Sequence, residues 1–215
     1  LIIGMGGLGS PTALYLAAAG VGHIVIADFD QVELSNLQRQ IIHQTKDIGD
    51  DKVNSAKNKL TELNPEIKVT IANELIHTDN LNELIKGVDI VLDGTDNFES
   101  RFEINKVCVE NRKPLISAAV VRFEGQVSVF EGHQKNLPCY QCLYSVEGEE
   151  NESCIENGVL APVAGLIGTI QALQAIKVIL NLGDQLSGSL LLVDALDLSF
   201  RKVKIGKDPK CPICN

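Results

Sequence analysis

The sequence predicts an α/β protein: a Rossmann-like, mostly parallel sheet with helices on both faces and antiparallel strands at its C-terminal end. Three observations lead there. A short apolar run at residues 1–3 feeds directly into the pattern Gly4-x-Gly6-x-x-Gly9. Strand-like runs then alternate with helical periodicity as far as residue 119, the signature of βαβ units. Near the end, two strand patterns at 190–194 and 199–205 follow each other with no helix between them, which requires antiparallel pairing.

Each element has its own signal. Residues 1–3 read as the end of a buried strand. Ser10 suits an N-cap and Pro11 a first helical turn, and the helix runs to about Ala19 before Gly20 stops it. Residues 23–27, His-Ile-Val-Ile-Ala, form a second strand ending at Asp28. Residues 28–44 are polar and poorly periodic. Helical spacing returns over 50–63 through Val53, Ala56, Leu60 and Leu63, and Asn64-Pro65 ends it. A third strand at 67–72, a short helix at 81–85 and a fourth strand at 88–92 follow. Asp93-Gly-Thr-Asp-Asn97 then leads into a helix over 98–110. Strands at 115–119 and 126–130 come next. Residues 136–158 are the least regular, holding Cys139, Cys142 and Cys154 around an acidic patch. The longest helix covers 161–182, and the chain closes on Cys211-Pro-Ile-Cys214. There is no internal repeat and no Gly/Ser linker, so residues 1–215 read as one domain.

Composition narrows the function classes. A chain of 215 residues with 45% hydrophobic and 22% charged residues is globular, not disordered or coiled-coil. A net charge of −9 argues against a general nucleic-acid binder. The richest apolar stretch, 159–182, contains Gln171, Gln174 and Lys177, so it reads as a buried helix and no membrane span is expected. The opening Leu-Ile-Ile-Gly-Met-Gly-Gly is a strand and a glycine loop, not a signal peptide, and the numbering is expected to start on a trimmed chain.

The glycine pattern alone is a weak signal, but with its flanking strand, helix and Asp28 it favours a nucleotide site over mere tight packing. Gly4 permits a tight turn, Gly6 a close approach of backbone to phosphate, and Gly9 close helix–strand packing. The following helix N-terminus offers N–H groups to an anion. Asp28 lies about twenty residues further on, where a carboxylate takes ribose hydroxyls. These features fit NAD and ATP alike. Arg39 and Lys52 favour a triphosphate if the polar segment folds back, although Lys52 taken alone reads as an ordinary solvated surface charge. Asp96 stands at the carboxyl edge of the sheet, where it suits magnesium on phosphate oxygens. Asp93 or Asp96 also suits the cap of the next helix, Asp93 being the more structural of the two.

The cysteines divide. Cys139-x-x-Cys142 and Cys211-x-x-Cys214 space two pairs of thiolates for one four-sulfur zinc site. Disulfides fit poorly in a chain without a secretory signal. Cys108, beside Val107 in a helical pattern, reads as core. Cys154 precedes the long helix, and its acidic neighbours Glu152 and Glu156 raise its pKa and blunt it. His23, His43, His77 and His133 are scattered without ligand spacing. Arg122 is either a surface charge or a partner contact. The tyrosines form no base-stacking platform.

Taken together, Gly-x-Gly-Gly-x-Gly-Ser, Asp-x-Asp-x-Val-x-x-Ser-Asn-Leu-Gln-Arg-Gln, Lys52, Asp-Gly-Thr-Asp-Asn, Cys-Tyr-x-Cys-Leu and the terminal Cys-Pro-x-Cys resemble the MoeB/ThiF family of ubiquitin-activating-like enzymes. The resemblance covers essentially the whole chain. It implies that ATP and magnesium serve to adenylate the C-terminal glycine of a small ubiquitin-like sulfur carrier ending in Gly-Gly, for molybdopterin or thiamin synthesis. By the same resemblance Gly7 contacts ATP through its backbone and Asp28 takes the ribose. Asn36, Gln38 and Arg39 lie near the phosphates, Lys52 binds phosphate, and Asp96, with Asn97 beside it, serves the magnesium. A homodimer, with an arginine upstream of Leu1 reaching the partner's site, is implied, as is a sulfurtransferase as a further partner. Cys154 matches a position that is covalently active in some relatives and dispensable in others. A cytoplasmic setting fits. Two other readings remain: an NAD-dependent oxidoreductase, which lacks a hydride-site acid or base, and an inactive half of a heterodimeric activating enzyme, which is expected to lose Arg39, Lys52 or Asp96.

Overall fold

A computed structural model of the chain describes residues 1–145 and 158–215. Its elements in chain order are β1 (Ile2–Ile3), α1 (Gly9–Ala18), β2 (His23–Ala27), α2 (Lys52–Leu63), β3 (Lys68–Ala72), α3 (Thr78–Ile85), β4 (Val91–Asp93), α4 (Phe98–Glu110), β5 (Leu115–Val121), β6 (Glu124–Phe130), α5 (Ala161–Leu180), β7 (Ser189–Asp194) and β8 (Ser199–Lys204). The strands form one eight-stranded sheet in the order β3-β2-β1-β4-β5-β6-β7-β8. The pairings from β3 through β5 are parallel, and those from β5 through β8 are antiparallel. This is the architecture the alternation of patterns predicts.

Strand alternation sends side chains to two separate cores. Ile2, Ile24, Ile26, Leu92 and Ile116 face α1, α2 and α5. Ile3, Val25, Ala27, Val91 and Leu115 face α3 and α4. Helix α5 has the length and apolarity to cross a membrane. Here it packs on α1, β5 and β6, burying Val163, Ala164, Ile167, Ala172 and Ala175.

The sheet also positions the site. Ile3 pairs with Ala27 on one side and with Asp93 on the other. The residues that follow, Gly4, Asp28 and Gly94, therefore leave the sheet side by side at its carboxyl edge. β1 lies between β2 and β4, so successive crossovers depart in opposite directions and open a crevice there.

Several boundaries differ from the sequence expectation, each for a local reason. Ser10 does not cap α1: the helix already includes Gly9, and the buried Ser10 Oγ has no hydrogen-bond partner among the described residues. At the other end, the Gly20 and Val21 N–H groups donate to the Ala17 and Leu16 carbonyls, a Schellman closure. Helix α2 starts at Lys52 because Asp51 is bridged to Gln31. Strand β4 starts at Val91; Val88 N–H instead donates to the Ile85 carbonyl at the end of α3. Helix α5 ends at Leu180 because Asn181 takes the left-handed conformation with φ 49°.

Candidate nucleotide site and thiolate knuckle

A cavity of about 410 Å³ occupies the crevice, within the usual size range for small-ligand sites. Gly4, Gly6 and Gly7 form one wall, and Asp28, Asp30, Gln38, Arg39, Lys52, Asp96 and Asn97 line it further round.

At Gly4 and Gly9 the glycine loop is held by contacts that leave no room for a side chain. Gly4 has φ +90°, and a Cβ there would lie 2.9 Å from the Gly94 carbonyl oxygen. A Cβ on Gly9 would lie 1.9 Å from the Gly4 carbonyl oxygen. Gly9 therefore serves the packing of α1 against the strand and does not line the cavity. Asp28 is buried, and both its carboxylate oxygens accept backbone N–H groups, Oδ2 from Met5 at 2.6 Å and Oδ1 from Asp30 at 2.9 Å. Burial raises its pKa, opposed by the Lys52 charge and by those two N–H bonds.

The polar segment after β2 does fold back. Val32 N–H donates to the Asp50 carbonyl, Gly49 N–H to Val32, and Lys52 N–H to Asp30. These bonds bring Lys52 to the cavity wall beside Asp28. Its side chain is 7% exposed, and Nζ lies 2.7 Å from Asp30 Oδ2. Asp30 thus compensates a buried charge that would otherwise be costly. Arg39 is half-buried, donates to the Ser35 carbonyl at 3.2 Å, and runs its methylenes past Gly7. Asn36 does not line the cavity; its Oδ1 accepts from Glu33 N–H and closes a 3-10 turn.

The loop after β4 separates its two acids. Asp93 is fully buried and accepts from Thr95 N–H, Thr95 Oγ1 and Ser117 Oγ. Asp96 is exposed on the cavity wall. The cap of α4 is neither aspartate but Asn97, whose Oδ1 accepts from Ser100 N–H at 2.9 Å.

Sequence reasoning missed Asp30 and Arg101. Arg101 also lines the cavity. Its Nη2 donates to the Thr95 carbonyl at 2.7 Å, and its Nε lies 3.9 Å from Asp93 Oδ2. Arg101 therefore braces the loop that carries Asp96. The signal for Asp30 was the Asp-x-Asp pattern itself. Arg101 had none beyond its place one turn into α4.

The second constellation lies apart from the cavity. The Sγ atoms of Cys139, Cys142, Cys211 and Cys214 all lie within 4.8 Å of one another. The close pairs are Cys139–Cys211 at 3.6 Å, Cys142–Cys214 at 3.5 Å and Cys139–Cys142 at 3.9 Å. Four sulfurs about 2.3 Å from one zinc ion are spaced about 3.8 Å apart in a tetrahedron. The thiol cluster matches that size and fits zinc. Its support is built in. Tyr140 stacks on Tyr144, meets Phe102 and Phe130 edge-on, and donates its N–H to Asn105 Oδ1 on α4. A Cβ on Gly132 would lie 2.5 Å from the Cys139 Cβ, so the backbone passes directly beneath the cluster. Cys108 is buried core, and burial raises its pKa strongly. Cys154 lies outside the described residues. Arg122 sits at the β5–β6 turn with φ 52°, its backbone bonded to Gly158 and Leu160.

Fold and site together define a nucleotide-binding α/β protein with a four-thiolate knuckle. The chain belongs to the ThiF family, whose model matches residues 1–213. It is 44% identical over 214 residues to a protein of Escherichia coli K12 named molybdopterin-synthase adenylyltransferase, covering 100% of this chain and 86% of that protein. It is also 44% identical over 218 residues to a Drosophila persimilis protein named adenylyltransferase and sulfurtransferase MOCS3; the match covers 100% of this chain and 48% of that longer protein. Among solved structures, Escherichia coli MccB crystallised with ATP superposes with a TM-score of 0.86 at 25% identity, over 99% of this chain and 65% of that one.

Proposed function

We propose that the chain is a single adenylation domain, residues 1–215, which uses ATP to adenylate the C-terminal glycine of a ubiquitin-like sulfur carrier ending in Gly-Gly. The observation that carries this reading is the convergence on one cavity of the glycine loop, Asp28, Arg39, Lys52 and Asp96. The names of the relatives support it, and they favour the molybdopterin pathway over the thiamin one. Retention of Arg39, Lys52 and Asp96 on one wall weighs against an inactive half-enzyme. An oxidoreductase leaves the two cations unexplained.

The chemistry follows from charge. A carrier carboxylate attacking the α-phosphorus of ATP brings anion to anion; a C–O–P linkage forms, the α–β anhydride bond breaks and pyrophosphate leaves. The carboxylate is already ionised at neutral pH, so no general base is required. Arg39 and Lys52 offset the repulsion and hold the departing phosphates. Asp28 takes the ribose, and the backbone of Gly6 and Gly7, which lines the cavity, meets the phosphates. Asp96, exposed on the cavity wall, would hold magnesium, which when bound supplies charge neutralisation on the phosphate oxygens. The knuckle, closed by four thiolates, would hold zinc structurally. Homodimerisation, a sulfurtransferase partner and a cytoplasmic setting are part of the same proposal; sedimentation of the chain as a monomer would remove the first.

The test is direct. The chain, ATP, magnesium and a carrier ending in Gly-Gly are mixed, and the carrier is weighed by mass spectrometry. A carrier heavier by one adenylyl group is expected, and a carrier lacking the two glycines should stay unmodified. An unchanged intact carrier, with ATP bound, would sink the reading.

A further inference from the structure

His43 shows no role by its spacing, yet it is buried and fully engaged. Its Nε2 lies 3.1 Å from the Met5 carbonyl oxygen and its Nδ1 lies 2.8 Å from Ser55 Oγ. Ser55 Oγ in turn lies 3.0 Å from Asp47 Oδ2, which also accepts Gln44 N–H at 2.8 Å. Met5 is the residue between Gly4 and Gly6, and its own N–H is the one that binds Asp28. The glycine loop is therefore gripped on both sides of one residue: Asp28 takes the N–H of Met5, and His43 takes its carbonyl.

Proton counting sharpens this. A carbonyl only accepts, so the bond to Met5 requires a hydrogen on Nε2. Ser55 has one hydrogen. Turned to Nδ1 it leaves the imidazole neutral; turned to Asp47 it requires a second hydrogen on Nδ1. The bond to Met5 survives both arrangements. Burial holds the His43 pKa below the ordinary value and Lys52 adds to that, while the Met5 carbonyl, Asp28 and Asp47 act against it.

We propose that His43, anchored by Ser55 and Asp47, is a positioning residue for ATP: it fixes the Met5 carbonyl and so keeps the glycine loop in its nucleotide-binding shape. This rests on the adenylation reading. Steady-state pyrophosphate exchange by the full chain is compared with hydrogen exchange of residues 4–9 in ligand-free protein. For His43→Ala the KM for ATP is expected to rise about tenfold with kcat within about twofold. Protection of the loop amides should fall in parallel. His43→Gln places an amide donor near the Nε2 position and should restore KM to within about threefold of wild type. Should His43→Ala fail to fold, Ser55→Ala replaces it, with a smaller rise in KM. A folded His43→Ala protein with unchanged KM and unchanged loop protection would overturn the proposal. So would a fall in kcat alone, or no rescue by a folded His43→Gln. If wild-type protein shows no exchange, the adenylation reading fails, while the amide protection still decides whether His43 fixes the loop.

Discussion

The knuckle and the nucleotide cavity are built in opposite ways. In the knuckle four identical groups point at one another, and their mutual distances are the site. In the cavity the groups come from separate segments and each is held by something else. Asp28 is held by two backbone N–H groups, Lys52 by Asp30, Arg39 by the Ser35 carbonyl, and the Asp96 loop by Asp93 and Arg101. A closed constellation is self-supporting once metal is present; an open one, meant to receive a ligand, needs a supporting layer that the ligand does not touch.

That difference ranks the expected losses. The largest belongs to the knuckle. A four-thiolate site binds zinc with a free energy on the order of 10 kcal/mol, so metal analysis should find one zinc per chain. Cys211→Ser should lose the metal and lower the unfolding temperature by many degrees; metal-free protein of wild-type stability would break the contrast. Arg101→Ala comes next. It leaves the fully buried Asp93 without its cation, at a cost of about 3 kcal/mol, to be read from urea midpoints; a loss below about 1 kcal/mol would show that the hydroxyl and N–H bonds to Asp93 suffice. Asp96→Ala should leave stability unchanged, because its carboxylate is exposed, yet slow adenylation at least about a hundredfold, or about 3 kcal/mol in barrier. Undiminished activity would remove the magnesium assignment.

The smallest effect is one of pH. The His43 pKa is lowered on folding. The native state therefore binds that proton less tightly than the unfolded chain, and the stability it contributes above about pH 6.5 is lost as pH falls through the folded value. Asp28, whose pKa is raised, runs the other way: its contribution is present at acid pH and lost as pH rises through its folded value. His43→Gln should flatten the fall in stability that begins below about pH 6.5, leaving the acidic limb. An unaltered profile would show that His43 does not titrate in that window.

Much of this was legible in residue order. The glycine spacing, the strand–helix alternation and the two Cys-x-x-Cys pairs mark the sheet, the crevice and the knuckle because each depends on local pattern. Partnerships across the chain were not legible. Nothing in the run from Asp28 to Lys52 shows that it returns along itself, since backbone bonds such as Val32 to Asp50 leave no trace in side-chain type. His43 looked unremarkable because its partners are a carbonyl and a hydroxyl, groups without a spacing rule. Ser10 misled because residue type alone does not separate the capping position from one inside the first turn. Asn97, not an aspartate, caps α4 because it directly precedes Phe98.

The most direct test of the account is isotope exchange between pyrophosphate and ATP, catalysed by the full chain with magnesium and a carrier ending in Gly-Gly. The account predicts exchange that requires the carrier's terminal glycines and is lost in Lys52→Ala and Asp96→Ala proteins that keep their zinc and their fold. Exchange that persists in both variants, or none from a protein that binds ATP and an intact carrier, would contradict it.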